Sequence, residues 1–352
     1  MSTNSPYADL ILHWYDHHQR ILPWRAKKGE APNPYHVLLS EIMLQQTQVA
    51  TVIPYFNRFI QDFPTICDLA KASLDHVMSL WTGLGYYSRA RNLHQCAQQI
   101  VDQGGNIPTT INELKKLSGI GDYTAAAIYS IGFNQPAVPV DGNVERITAR
   151  LFAIKESLPA IKPKLASLAK MLNQGQAAQE RPGDFAQGLF DIGATICKPK
   201  NPLCLLCPLS AVCKACLDNI ANDLPKRSPK AAKPIKYGIS FFIQGSNNNV
   251  LFHKRPMKGV LAGTWQLPST SWEEKVWDLP AGLKQMGYTG DWEYIGDINH
   301  VFTHFILKIS LYKPIIFQDS PINAEGYAWY NLSQLDKYPC SSLMKKAIDC
   351  CL

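Results

Sequence analysis

Between residues 7 and about 216, apolar side chains return at a spacing near 3.6 residues. Short turns containing Gly, Pro or Asn interrupt them: "GLGYY", "DQGGNIP", "LSGIGDY" and "VPVDGN". Strand-like alternation is scarce, so the pattern predicts an all-helical region. One stretch of it, "LLSEIMLQQTQVATVIPYF" (residues 38–56), reads as a buried helix with a single acid in it. Leu38, Leu39, Ile42 and Val49 recur at helical spacing, and Met43 and Leu44 fill much of the remainder, around Glu41. Burying a carboxylate is costly unless it is paired, protonated or used. Glu41 is therefore the first candidate for chemistry.

The texture changes after "NDLPKRSPKAAKPIKYG" (residues 222–238), a proline-containing, Lys- and Arg-rich stretch with little apolar content. It reads as a basic linker. Beyond it, "YGISFFIQG", "NVLFHKRP", "FTHFILKISLY" and "GYAWYNL" are short β-branched and aromatic runs divided by turn residues. Helical stretches are expected around residues 280–287 and 341–351, which makes this a second, α+β domain. The organisation expected is a helical domain over residues 1–221, a linker over 222–236 and the α+β domain over 237–352.

A chain of 352 residues, 46% hydrophobic and 18% charged, has enough apolar content for two such cores. The polar start "MSTNSPYADL" lacks the basic and apolar regions of a signal peptide. No run reaches the ~18 to 20 apolar residues needed to span a bilayer, so a cytoplasmic protein with no membrane partner is expected. The net charge of +7 admits a polyanionic partner only where the excess clusters.

Five of the ten cysteines fall between residues 197 and 216. In a cytosolic chain such crowding points to a metal rather than to disulfides. The stretch "CKPKNPLCLLCPLSAVC" spaces Cys197-x6-Cys204-x2-Cys207-x5-Cys213, four soft donors on one tight loop that suit a [4Fe–4S] cluster. Zinc competes, because Cys204/Cys207 and Cys213/Cys216 form two CxxC pairs. Zinc ribbons place ~15 to 20 residues between such pairs, however, and here there are five. Cys216 is read as a bystander. Lys198 and Lys200 lie in the loop, where a pinned backbone could hold them toward phosphates.

"KKLSGIGDYTAAAIYSIGF" reads as helix, Gly-Ile-Gly hairpin, helix. Gly119 and Gly121 permit a tight turn whose backbone N–H groups point outward at a helix N-terminus, a ready phosphate site. Asp141, in "VPVDGNVERI", opens another predicted helix and by itself would be read as an N-cap. His13 and His17, at i, i+4 spacing, read as a helix face rather than a metal site.

Taken together, the hairpin, the Asp-bearing loop and the cysteine loop resemble the endonuclease III superfamily of base-excision DNA glycosylases. Within it, "LPWR", "SEIMLQQTQVATVIPYF", "WTGLGYYSRARNL" and "VDGNVERI" resemble the A/G-specific adenine DNA glycosylase (MutY) family. The resemblance covers residues 7–216 closely and continues more loosely to the end. It implies an all-α helix-hairpin-helix glycosylase domain with an iron–sulfur loop, followed by an α+β Nudix-like domain. It also implies a monomer acting on double-stranded DNA that carries adenine mispaired with 8-oxoguanine or guanine.

By the same resemblance the adenine is flipped into a pocket. Glu41 corresponds to the general acid that protonates it, with a pKa raised by its apolar helix. Asp141 corresponds to the carboxylate that stabilises an oxocarbenium-like sugar or attacks it. Tyr123 and Asn143 correspond to residues grouped with that pair. Bifunctional relatives carry an amine-bearing lysine where this chain has Tyr123, and a phenol forms no Schiff base, so a monofunctional enzyme is expected. Some adenine glycosylases carry a lysine where this chain has Glu145. The adenine pocket would use Arg20, Trp24, Leu44, Val49, Gln187 and Asp191. Gln45, Gln46, Thr47, Leu84 and Tyr86 would fill the vacated stack and read the opposite base.

In the second domain the Nudix catalytic acids are absent from "GTWQLPSTSWEEKVWDLPAGLKQMGY", so a recognition module is expected rather than a second enzyme. Phe302, Thr303 and His304 in "HVFTHF" correspond to a Phe-Ser-His loop that senses 8-oxoguanine. Threonine keeps the hydroxyl and adds a methyl. Three rivals have weaker support: an oxidised-pyrimidine glycosylase with lyase activity, a non-catalytic iron–sulfur DNA sensor, and a Nudix hydrolase.

Overall fold

A computed structural model describes residues 6–229, 232–316 and 325–352. The chain divides into two compact units, Met1–Lys71 with Gln95–Lys230, and Ala72–His94 with Ala231–Leu352. The segment 72–94, inside the helical stretch of the sequence, thus groups with the C-terminal residues.

The first unit is helical, as the 3.6-residue periodicity predicts. Its central layer packs Tyr7–His18, Gly142–Leu151 and Pro182–Thr195 through Ile11, Leu12, Val144, Ile147, Phe185, Leu189 and Ile192. Gly188 allows the first and last of these helices to close up, because a Cβ there would lie 2.8 Å from Ile11 Cγ2. Pro34–Leu44 starts where the Asn33 side chain accepts from the Tyr35 and His36 N–H groups, with Pro34 pre-set for the first turn. Asp122–Ala127 runs on into a π-helical turn, Ile128–Gly132. The basic stretch is not wholly unpaired: Lys226–Arg227 lies parallel to Ser157–Leu158.

Among its described residues the second unit holds two three-stranded sheets. In one, Ile306–Pro314 is central, parallel to Ile235–Phe241 and antiparallel to Trp292–Val301. In the other, Asn249–Lys254 is central and antiparallel to Trp265–Gln266 and Tyr327–Asn331. Leu307, Ile309 and Leu311 alternate inward onto Phe252, Leu343, Met344 and Ile348, the last three from the helix Ser342–Cys351. The expected helix near 280 is Leu279–Met286, capped by Asp278 and stopped by Gly287 at φ +70°. Trp292–Val301 carries no apolar run in its sequence and was not expected as a strand. Only Ile298 of its side chains is buried. Among the described residues no helix is long and apolar enough to cross a membrane.

Candidate active site

Glu41 sits on the buried side of Pro34–Leu44 at 5% exposure. Its Oε2 accepts a 2.7 Å hydrogen bond from the Tyr123 hydroxyl, supplied by the helix that follows the Gly-Ile-Gly hairpin. Burial pushes the carboxyl from an ordinary value near 4.5 up to about 7. The Tyr123 bond and Arg25 oppose this shift, and the Asp141 charge adds to it. A group so poised holds its proton near neutrality and can release it.

Asp141 is indeed an N-cap. Its Oδ1 accepts from the Asn143 and Val144 N–H groups at 2.8 Å each, and its Oδ2 from Asn143 Nδ2 at 2.7 Å. Burial nevertheless raises its pKa, against the lowering effect of those bonds and of Arg146. The cap fixes the carboxylate's orientation, so the structural and the chemical readings of Asp141 are compatible. Asn143 is held in turn by Arg146, which donates to Asn143 Oδ1 (2.9 Å), Gly193 O (2.8 Å) and Cys197 O (2.6 Å). Gly193 is required beside it, since a Cβ there would stand 2.5 Å from Asn143 Cβ. Glu145 faces Lys162, 3.1 Å away.

A small cleft opens beside Glu41. Arg20, Trp24, Leu44, Val49 and Gln187 line it, together with Leu22, Arg25, Ile131 and Phe190, which the sequence alone does not single out. Arg25 was within sight, being the last residue of "LPWR". Asp191 is fully buried behind the lining, not part of it. Arg25 grips it with two bonds of 2.8 Å, and Arg20 adds Nε at 2.6 Å and its backbone N–H at 2.9 Å. Burial would raise the Asp191 carboxyl, but its bonds to the arginines, chiefly Arg25, hold it below the usual carboxylate value. Asp191 therefore acts on the cleft by orienting two guanidinium groups.

The remaining candidates fall on turns. In the first unit, Gln45 donates to Thr124 Oγ1 at 3.4 Å, Gln46 is exposed with φ +57°, and the Thr47 hydroxyl donates to Gln45 O. Gly119 has φ +79°, a conformation that disfavours a side chain, whereas Gly121 is an ordinary N-cap with open space around it. In the second unit, Leu84 is buried, while Tyr86 is 46% exposed and left-handed at φ +49°. The Tyr86 hydroxyl lies 3.3 Å from Thr303 Oγ1. Phe302, Thr303 and His304 are not in a strand but in the connection between Trp292–Val301 and Ile306–Pro314, with Thr303 and His304 exposed.

Cys197, Cys204, Cys207 and Cys213 line a small cavity with Arg150. Cys216 lines it too, so it is not remote from the group. After burial, the Cys216 thiol is the main influence raising the Cys204 pKa. Arg150 donates to Cys197 Sγ (3.2 Å), Lys198 O (2.7 Å) and Pro199 O (3.1 Å), which holds the loop while Lys198 and Lys200 stay exposed. Among the described residues, no three His, Cys, Asp or Glu side chains converge to hold one metal ion.

The family described as HhH-GPD superfamily base excision DNA repair protein matches residues 39–171, and a NUDIX domain matches residues 240–350. The adenine DNA glycosylase of Rattus norvegicus is 33% identical, over 96% of this chain and 76% of that protein. Its counterpart from Buchnera aphidicola subsp. Baizongia pistaciae is 35% identical, over 94% of this chain and 92% of that protein. Among solved structures, a thermostable thymine-DNA glycosylase superposes with a TM-score of 0.53 at 29% identity, covering 60% of this chain and 95% of that one. A trapped endonuclease III–DNA covalent intermediate gives 0.50 at 22% identity, covering 62% and 99%, and bears on the fold alone.

Proposed function

The chain belongs to the adenine DNA glycosylase family of base-excision repair proteins, and we propose that it hydrolyses the N-glycosidic bond of adenine mispaired with 8-oxoguanine or guanine. The observation that carries the mechanism is the buried Glu41 carboxyl, held by Tyr123 and pushed up to about 7, on the wall of a cleft lined by Trp24, Leu44 and Val49. The flipped adenine would enter beside Trp24, Leu44 and Val49 and meet Arg20, Arg25 and Gln187. Glu41 gives its proton to adenine N7, and the C1′–N9 electron pair leaves with the base. Asp141, oriented by its cap, faces the cationic sugar. Water then adds at C1′ and loses a proton, which restores Glu41.

Tyr123 offers no amine, so strand cleavage is not part of the reaction. Exposed Lys198 and Lys200, with the backbone N–H groups at Gly119 and Gly121, suit phosphates. Gln45, Gln46, Thr47, Leu84 and Tyr86 serve the opposite base and the vacated stack, and Phe302, Thr303 and His304 sense its oxidation.

The cysteine loop fits a [4Fe–4S] cluster better than zinc. The cysteines line one cavity, and only five residues separate the two CxxC pairs, where zinc ribbons place ~15 to 20. Cys197, Cys204, Cys207 and Cys213 would hold the cluster, which would pin the loop's backbone and leave bond cleavage to the carboxylates.

The test is single-turnover base release on duplexes with 8-oxoguanine:A, G:A and thymine glycol:A, with strand breaks scored before and after alkali. Adenine loss with breaks only after alkali is expected. Thymine glycol removal with spontaneous breaks would overturn the assignment.

A further inference from the structure

The end of the basic stretch is fastened to the loop assigned above to sensing the oxidised base. Lys233 Nζ donates to the Phe302 carbonyl at 2.7 Å. Next to it, the Pro234 carbonyl accepts from Ile306 N–H at 2.9 Å, and the parallel register of the two strands begins with Ile235 opposite Ile306. Lys236 Nζ lies 5.3 Å from the centre of the Phe305 ring. Both backbone groups of Phe302 are therefore occupied, since its N–H donates to Phe305 O at 2.9 Å. Its ring is wedged against Phe305 (4.8 Å) and Trp272 (5.7 Å). The two residues left to project are Thr303 and His304. A charge-assisted bond to a loop carbonyl fixes the peptide plane that leads directly into Thr303, and a lysine spent this way is not a freely swinging phosphate contact.

We propose that Lys233 is a positioning residue for the Phe302–His304 loop: by holding the Phe302 carbonyl it sets the presentation of Thr303 and His304, and with it the discrimination between 8-oxoguanine and guanine opposite adenine. This rests on the reading of that loop as the sensor. The basic stretch is then part of the recognition module as well as a connection.

The experiment compares the full-length protein with Lys233→Met, Lys233→Arg and Thr303→Val, measuring single-turnover adenine release from 8-oxoguanine:A and G:A duplexes and the salt dependence of binding. Lys233→Met should slow release opposite 8-oxoguanine about three- to ten-fold, the effect of one lost hydrogen bond. It should leave the G:A rate and the salt slope unchanged, and Lys233→Arg should restore the preference. An equal loss on both duplexes with a salt slope shallower by about one would make Lys233 a phosphate contact and overturn the proposal. Unchanged rates in Lys233→Met would overturn it as well. If Thr303→Val leaves the preference intact, the sensor reading itself falls, whatever Lys233 does.

Discussion

At the scale of single residues, the chemistry depends on one proton on Glu41. Replacing Glu41 by Gln keeps the shape and removes the transferable proton, so single-turnover base release should fall by about 10²- to 10⁴-fold. The same substitution has a stability consequence with a definite sign. The folded state raises this carboxyl's pKa, so it binds the proton more tightly than the unfolded chain, and stability is lost as pH rises from about 4.5 through about 7. Glu41→Gln should thus be more stable than the parent at pH 8, by about 3 kcal/mol, and indistinguishable at pH 4, as checked by denaturant melts at both. Tyr123→Phe removes the bond that favours the charged form. The pKa of Glu41 should rise further, and the falling limb of the pH–rate profile should move to higher pH. A limb that stays in place would detach Tyr123 from the acid. Glu41 was legible in the sequence because an acid interrupts an apolar helix. Arg25 and Phe190 were not assigned, because an arginine and an aromatic in isolation have too many ordinary explanations.

At the scale of elements, the helix Gly142–Leu151 joins two sites. Asp141 caps its start, and Arg146 and Arg150, one turn apart, reach the carbonyl and thiol of Cys197. Its neighbour Pro182–Thr195 supplies Gly193 at the point where Asn143 leaves no room. Gly193→Ala should therefore displace Asn143 and loosen the Asp141 cap, with slower base release and a stability loss of about 1–3 kcal/mol. Gly142→Ala, whose Cβ would meet nothing within 4 Å, should stay within about 0.5 kcal/mol of the parent in the same melts. The helical elements were readable because their periodicity is strong. Trp292–Val301 was not, because an edge strand that buries so little has no apolar alternation to betray it.

At the scale of the molecule, cysteines from one short loop are expected to carry the cofactor. Purified protein should contain ~4 irons per chain with acid-labile sulfide. Cys204→Ser should lose them, while Cys340→Ser, a buried cysteine of the C-terminal core, should keep them. Zinc in place of iron by elemental analysis would reverse the assignment. The clustering of cysteines was plain in the sequence, but the place of Cys216 beside Cys204 was not, since spacing alone made it look superfluous.

The sequence by itself determined the succession of a helical and an α+β region, the cysteine loop, and the suspicion attached to Glu41. Each of these is written in local periodicity or local composition. Only the tertiary structure decided the partners. Tyr123 reaches Glu41 across 82 positions, and Arg20 reaches Asp191 across 171. It also decided the direction in which the pKa values of two aspartates move, which the sequence cannot tell apart. Both are desolvated, yet Asp141, met mainly by neutral donors, is raised, and Asp191, clasped by two guanidinium groups, is lowered. A carboxyl's pKa depends on which charges the fold brings within a few ångströms, and no local pattern records that.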